Sequence, residues 1–216
     1  QVEAFYEGGG DEIAEEAINP ILGEAVSYDR LSSYFSIASF LSIAQGLEKI
    51  WRRNGSIRLV MGLHDLDEDV LLASKMSGTP DFFQTFDSIK GRILRQVSAL
   101  QDEMHKQRIE TFALMLRDGF VNLKVASHPS GPGTAIFHNK RFIFRDEPGN
   151  VITGSSGMNE TVRGLTRNYD ELTLQQSWLD TGGQLEKHIE SFERIWADKV
   201  PNLVIRDVDP EFSIEL

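Results

Sequence analysis

The chain of 216 residues contains no cysteine. This excludes disulfide bonds and metal sites built from thiolates, and it is compatible with a reducing cytoplasm, where we expect the protein to act. No apolar run is long enough to cross a bilayer, and the first residues lack the basic segment that opens a secretory signal. An initiating methionine is also missing, so we expect a soluble part of a longer polypeptide.

Positive charge is scarce as well. The chain has 22 Lys and Arg against 33 Asp and Glu, a formal net charge of -11. Proteins that bind nucleic acid usually present an excess of basic residues to the phosphates, so the overall field argues against DNA as a partner. Local basic clusters, such as Arg163 and Arg167, are the candidates for phosphate contacts.

Apolar periodicity indicates a single domain of alternating helices and strands. It first predicts a helix interrupted at Pro20, a strand, a helix and a strand, over residues 11–27, 28–35, 37–53 and 56–62. It then predicts a helix or helix pair, four strands and a final helix, over residues 86–117, 121–126, 135–144, 151–153, 169–175 and 185–196. This order favours an α/β fold in which a mixed sheet has helices on both faces.

The domain boundary follows from the same pattern. With 40% hydrophobic residues, the chain can bury one sizeable core but not two. We therefore predict one domain over residues 1–200. The periodicity fades over residues 201–216, which we interpret as a linker to a further region.

An acidic stretch near the middle of the chain needs interpretation. His64 and the acidic residues within 65–69 are crowded enough to suggest a metal site. Acidic residues in a first helical turn also meet the positive end of the helix dipole. We favour this second interpretation, a cap for a helix over residues 70–76, and predict no metal.

The segment 135–144 is the most informative part of the sequence. It is rich in aromatic and branched residues and reads as a strand, so His138 and Lys140 should share a face with Phe142 and Phe144. Both basic groups would then lie at the edge of a buried surface. A desolvated imidazole beside a cation stays neutral, as a nucleophile requires.

Further polar residues follow this segment in a recognisable order. In sequence they are His138, Lys140, Gly154, Ser155, Asn159, Asn168 and Glu171. This order resembles the motif of the phospholipase D superfamily, and above all of its bacterial nucleases and metal-independent restriction endonucleases. In that branch the motif runs His-x-Lys, Gly-Ser-x-Asn and then Asn-x-Glu.

The resemblance extends over most of the chain, with some departures. Residues 34–36, 55–60 and 192–196 are similar to nuclease domains of this family that precede helicase modules. The family's usual Asp five residues after the Lys is replaced by Arg145, and we interpret Asp146 as a turn residue. The Gly-Ser-x-Asn element is stretched by two residues, so that either Ser155 or Ser156 can reach the site.

The resemblance implies a role for each residue of the motif. His138 would attack phosphorus to give a phosphohistidine, with Lys140 supplying positive charge, Asn159 an amide donor, and Glu171 orienting the imidazole. The predicted substrate-binding residues are Gly154, Ser155, Ser156, Arg163, Arg167 and Asn168. A helix N-terminus after the Gly-Ser loop would help to hold the phosphate.

This chemistry needs a second histidine to protonate the leaving oxygen, yet the chain has one His-x-Lys. The resemblance therefore implies a homodimer in which two motifs form one active site, without metal or other cofactor. The implied activity is a DNA endonuclease, the nuclease part of a restriction or anti-phage protein with a helicase or ATPase region after residue 216.

Two alternatives stay open. A phospholipase-type phosphodiesterase is disfavoured because we find no amphipathic helix with a basic face for a membrane. A catalytically idle module for dimerisation and DNA docking is compatible with the acidic charge and the displaced Asp.

Overall fold

The computed structural model describes residues 2–33, 37–62, 103–127, 137–156 and 169–208. In chain order the elements are β1 Phe5–Gly9, α1 Gly10–Ile13, a π-helical turn Ala14–Ile18, α2 Asn19–Glu24, β2 Ala25–Ser32, α3 Ile37–Arg52, β3 Ser56–Gly62, α4 Glu103–Arg117, β4 Val121–Ser127, β5 Arg141–Asp146, β6 Val151–Ser156, β7 Tyr169–Gln176, α5 Gln184–Trp196 and β8 Val204–Asp207. The predicted helix over 70–76, the acidic stretch at 65–69 and the first part of 86–117 lie outside the described residues.

Within these residues the strands form one sheet in the order β1-β7-β6-β5-β2-β3-β4-β8. Strands β2, β3 and β4 run parallel to one another, and the other neighbours pair antiparallel. The α/β class and the mixed sheet are thus confirmed. Strands β2 and β3, which α3 connects, run parallel, in agreement with the predicted order of strand, helix and strand over residues 28–62.

Side chains that alternate along the strands build two cores, one on each face of the sheet. On one face the helices before β2, together with α3 and α4, cover the larger core, which includes Leu22, Leu47, Met115, Tyr28, Phe142 and Phe144. On the other face α5 covers a smaller core of Phe192, Ile195, Leu31, Val60 and Ile143. Helices therefore lie on both faces, as the sequence predicts.

The first helical segment is interrupted near Pro20, as predicted, but its bounds differ. The helical residues are 10–24, and a π-helical turn precedes the proline, where the Asn19 N–H donates to the Ala14 carbonyl. Pro20 has no N–H for the carbonyl four residues earlier, so this is where a regular α-helix loses a hydrogen bond. Strand β2 consequently begins at Ala25, three residues before the predicted strand.

Three further predictions about elements are wrong. Strand β5 begins at Arg141, so His138 and Lys140 lie in an irregular segment before it. Residues 154–156, predicted as a loop, are the end of β6. Residues 204–207, assigned to a linker, form an edge strand that pairs with β4 and buries Ile205. That strand is too short to give a periodic signal.

Candidate active site

The His-x-Lys segment is held between the ends of two strands. Ser33 Oγ donates to the Asn139 carbonyl at 3.4 Å, and the Ser156 N–H donates to the Lys140 carbonyl at 3.4 Å. Lys140 is half-buried, whereas His138 is exposed. The predicted desolvation of the imidazole is therefore wrong for the single chain. Strand β5 begins three residues after His138, so the strand does not place this side chain on a buried face.

Lys140 lies among other charges at this end of the sheet. Burial lowers the pKa of its ammonium below that of an exposed lysine, the Asp170 carboxylate opposes this shift, and the Arg30 guanidinium adds to it. Arg30 is only 4% exposed and lies over the Phe142 ring, 5.0 Å from its centroid. Two cations and one carboxylate thus interact at the edge of the sheet where β2 ends and where β5 and β7 begin.

The carboxylate that interacts with the Lys140 ammonium is that of Asp170, and the predicted orientation of His138 by Glu171 stays a prediction. Successive side chains of a strand point to opposite faces, and Asp170 shares the face of the buried Leu172. Glu171 is exposed on the other face, directly opposite Glu7 of β1. The spacing from Asn168 to Asp170 also fits the Asn-x-acid element, a signal that could have identified Asp170 from the sequence.

Gly154 has a steric role in the sheet, and its predicted role in phosphate binding stays a prediction. It lies in β6 between Phe142 of β5 and Leu174 of β7. A Cβ atom at this position would overlap Phe142 Cε2 and lie 2.6 Å from Leu174 Cδ2. Glycine is therefore required for the Phe142 ring to occupy the place where it supports Arg30.

We expect Gly154→Ala to lower the free energy of unfolding by about 1–3 kcal/mol, the usual cost of overpacking a core. Urea titration followed by circular dichroism measures it. Gly182→Ala is the matched control, because a Cβ there meets only Asp180 Oδ1 at 4.0 Å. Equal midpoints for the two variants would contradict the steric role.

The remaining predicted residues are only partly brought together. Ser156 is half-buried and tied to Lys140, whereas Ser155 is exposed on the opposite face of β6. Four predicted residues, Asn159, Arg163, Arg167 and Asn168, lie outside the described part of the chain. The predicted helix after the Gly-Ser segment lies there too.

Asp146 is the last residue of β5, and its side chain stabilises the turn that follows, which agrees with the predicted role in a turn. Its carboxylate accepts hydrogen bonds from the Asn150 N–H at 2.7 Å and from Asn150 Nδ2 at 2.8 Å, across the hairpin between β5 and β6. Arg145, at the position where the resembled motif has an Asp, donates to Asp29 at 2.6 Å. This arginine therefore serves the fold on the face of the sheet that α5 covers.

Asp29 is the centre of an ion-pair network beneath α5. It is 1% exposed and accepts two hydrogen bonds from Arg58, at 2.7 and 2.8 Å, besides that from Arg145. Arg58 also reaches both carboxylate oxygens of Glu193 and lies over the Phe192 ring. Burial would lower the pKa of Arg58, but the two carboxylates raise it above the ordinary value. The network fastens α5 to the sheet.

A cavity of about 490 Å³ lies at the opposite end of β5 and β6. Its lining includes Tyr6, Pro20, Phe144 and Trp178, and none of the predicted site residues. The candidate site therefore lies at the other end of the sheet from this cavity. We place it at Lys140, because charged groups converge there.

Neither a metal cluster nor a membrane span is found among the described residues. No group of three His, Asp or Glu residues in that part of the chain could hold a metal ion. No helix there is both long and apolar enough to cross a membrane.

Comparisons with known proteins identify the fold. No family model and no curated protein matches the sequence. A phosphatidylserine synthase from Haemophilus influenzae Rd KW20 matches with a TM-score of 0.53 and 10% identity, over 94% of this chain. Nuc from Salmonella typhimurium, a phospholipase D family member, gives a TM-score of 0.49 at 12% identity, over 94% of this chain and 97% of its own.

NucT from Helicobacter pylori gives a TM-score of 0.47 at 13% identity, over 89% of this chain and 95% of its own. The match to the phosphatidylserine synthase covers 39% of that chain. At such low identity a structural match establishes the fold and nothing finer. The chain therefore shares its fold with a part of this phosphatidylserine synthase.

Proposed function

We propose that the protein is a metal-independent phosphodiesterase that cuts DNA, with His138 as nucleophile and one active site at a homodimer interface. The observation that carries the proposal is the meeting of Lys140, Asp170 and Arg30 beside the His-x-Lys segment. Cleavage of a phosphodiester spreads negative charge over the equatorial oxygens of the transition state. Preorganised cations in a partly desolvated site stabilise that charge.

The proposed reaction has two steps. His138 forms an N–P bond while the bond from phosphorus to the leaving oxygen breaks, and a second histidine gives that oxygen a proton. Water then attacks the phosphohistidine, the N–P bond breaks, and the second histidine takes the proton from the water. Lys140 holds the phosphate oxygens in both steps, with Asn159 as an additional donor.

Asp170 takes the orienting role that the sequence pattern gave to Glu171. A carboxylate that accepts from the second nitrogen of the imidazole fixes its tautomer and direction. Asp170 fits this role because it lies on the Lys140 side of β7, whereas Glu171 points to the opposite face.

We therefore expect Asp170→Asn to lower the cleavage rate by about 10²-fold or more, since the amide no longer holds the imidazole. Glu171→Gln, at the adjacent position, should change it less than about 2-fold. Single-turnover cleavage of a labelled DNA measures both. The opposite order of the two effects would return the orienting role to Glu171.

The exposure of His138 supports a site completed by a second subunit. One chain offers one His-x-Lys, and its imidazole is accessible to a partner. If both imidazoles serve one reaction, a dimer with one His138→Ala subunit is inactive. An equal, randomised mixture of wild-type and variant subunits should then retain about a quarter of the wild-type activity, whereas independent sites would retain about half.

The activity is tested with plasmid DNA in EDTA. Chelator-resistant nicking or linearisation supports the nuclease. DNA binding without cleavage would support the docking module, which the net charge of -11 keeps as a competitor. Because isolated nuclease domains can depend on a partner region for DNA delivery, the assay includes short single-stranded and duplex oligonucleotides at low salt.

A second candidate function is transfer or hydrolysis of a phosphatidyl group. The fold shared with a phosphatidylserine synthase favours it. Release of headgroup from phospholipid vesicles, with no cleavage of DNA, would select this alternative.

The proposal also covers the cellular role of the protein and the rest of its polypeptide. A cytoplasmic restriction or anti-phage protein, with a helicase or ATPase region in the same polypeptide, is the setting that the sequence resemblance implies. The proposal further includes the predicted contacts with the DNA backbone, made by Arg163, Arg167 and Asn168. Charge reversal at both arginines should weaken binding and flatten its salt dependence.

A further inference from the structure

A row of four side chains crosses the sheet on the face that α5 only partly covers. Arg141 of β5 is directly opposite Ser155 of β6, Ser155 is opposite Thr173 of β7, and Thr173 is opposite Phe5 of β1. Directly opposite residues in neighbouring strands project from the same face. The row therefore runs from a guanidinium through two hydroxyls to a phenyl ring, over roughly 14 Å at the usual strand spacing.

The phenyl end of the row is open to solvent. Phe5 is 46% exposed, and Thr173 and Ser155 beside it are exposed as well. A large aromatic ring on an edge strand, next to hydroxyls, gains no core packing from this position. An exposed ring of this kind is a platform on which an unpaired base can stack, and such stacking is tolerant of base identity.

The guanidinium end of the row carries positive charge with little compensation. Arg141 is half-buried, and its Nε has no hydrogen-bond partner among the described residues. His188 of α5 lies nearby, since its Nδ1 is 2.9 Å from Oγ1 of Thr153, which is diagonal to Arg141 in the sheet. Burial lowers the pKa of Arg141, and the pKa of His188 is lowered by burial and by Arg141.

The hydrogen bonds of Thr153 define how His188 can respond to an anion. Its hydroxyl donates to Gln175 Oε1 at 3.2 Å, so the contact with His188 uses the Nδ1 hydrogen of the imidazole. The neutral ring then has its lone pair on Nε2, the nitrogen that takes up the next proton. A phosphate beside Arg141 would favour that protonation.

We infer that this row is a binding path for a single strand of nucleic acid, with a backbone phosphate at Arg141 and His188 and an unpaired base stacked on Phe5. The path would lead the strand away from the phosphate held by Lys140, the preceding residue of the chain. Its assignment as the approach to a cleavage site rests on the proposed function; the binding itself does not.

A single strand fits the row better than a duplex or a lipid. The bases of a duplex are stacked on each other, so none is free for Phe5. Glu7 and Glu171 form the next pair along β1 and β7 on the same face, and their charges repel the phosphates of a second strand. A phospholipid carries one phosphate and no ring for Phe5.

The test is fluorescence anisotropy with labelled oligothymidylate and a duplex of equal length. His138→Ala protein is used throughout so that no strand is cut. We expect the single strand to bind more tightly, and Phe5→Leu, which keeps an apolar residue on β1, to raise its Kd about 10-fold. Arg141→Gln should raise the Kd about 5-fold and reduce the salt slope by about one charge.

Matched controls distinguish the row from general surface effects. Leu114→Ala removes an apolar side chain that is 39% exposed on α4, and Arg206→Gln removes a cation that is 52% exposed on β8. Both should leave the Kd unchanged. An abasic strand should be bound equally by Phe5→Leu and its parent protein, but less tightly after Arg141→Gln.

A spectroscopic readout tests the phosphate end alone. The charged groups that face His188 are Arg141 from β5 and Asp180 from the turn before α5. In NMR titrations the abasic strand should raise the pKa of His188, and Arg141→Gln should weaken this rise. Without ligand, the same variant should itself raise that pKa, because a neighbouring cation is removed.

Several results would overturn the inference. One is a Kd for oligothymidylate that Phe5→Leu does not change, and another is an equal increase in Kd for the abasic strand on the same substitution. A third is a duplex that binds as tightly as the single strand or more tightly. A fourth is that Phe5→Leu weakens binding to phosphatidylglycerol vesicles but not to any nucleic acid. If the wild-type protein cuts no DNA while the variants behave as expected, the proposed nuclease fails and the binding path stands.

Discussion

Replacing His138 with alanine is expected to lower the rate constant for DNA cleavage in EDTA by at least about 10³-fold. In the proposed mechanism the substitution removes the atom that bonds to phosphorus, so only substrate positioning by Lys140 and its neighbours is left to accelerate hydrolysis. Because Lys140, Asp170 and Arg30 are unchanged, the affinity for an uncleaved analogue should stay within about 2-fold. Quenched single-turnover reactions give the rate constant, and anisotropy gives the affinity.

The control for this prediction is His105→Ala, which removes a histidine from α4 and should leave the rate unchanged. Phosphate-labelled DNA should label the wild-type protein through a bond that is stable in alkali and labile in acid. A His138→Ala protein that still cuts at the wild-type rate, or a label that survives acid, would exclude His138 as the nucleophile.

Replacing Asp29 with asparagine is expected to lower the free energy of unfolding by about 3 kcal/mol. Asp29 is buried and shared by Arg58 and Arg145, so the amide leaves two cations without the charge that offsets their partial burial. Glu193 continues to hold Arg58, which keeps the loss from being larger. Urea titration with linear extrapolation measures the change.

An exposed ion pair provides the comparison. Asp207→Asn removes a carboxylate that is 81% exposed and lies 3.3 Å from Lys124, and should cost less than about 0.5 kcal/mol. The double variant of Asp29 and Glu193 should cost more than the sum of the two single variants, because each carboxylate still compensates Arg58 when the other is removed. Strict additivity, or equal costs for Asp29 and Asp207, would contradict a buried network.

Much of the fold could be predicted where the hydrophobic pattern is strong. Strand β3 and helices α3 and α5 have the predicted bounds to within a residue or two, because each buries several apolar residues at regular spacing. Strands β1 and β8 were missed, since each buries a single residue, Gly8 or Ile205. Edge strands of this kind depend on backbone pairing with a neighbour, which leaves no local pattern.

The order of the candidate site residues along the chain could be predicted, but their positions relative to one another in space could not. The sequence pattern predicts that His138 and Lys140 share a strand face at the edge of a buried surface, and the structure brings Lys140 together with Asp170 and Arg30. The choice between Asp170 and Glu171 depends on the face of β7, which is set by register with β1 and β6. Arg30 was missed because its position beside Lys140 results from the pairing of β2 with β5, across a long separation in sequence.

That pairing also has a consequence for the order of events during folding. The pairing of β2 with β5 closes a loop from Arg30 to Phe142 in the chain, and contacts between such distant residues form slowly because of their entropic cost. A hairpin such as β5-β6 needs no comparable closure. The charged cluster is therefore expected to become complete only after the local elements have formed. Recovery of the proposed DNA cleavage during refolding should then lag behind recovery of secondary structure.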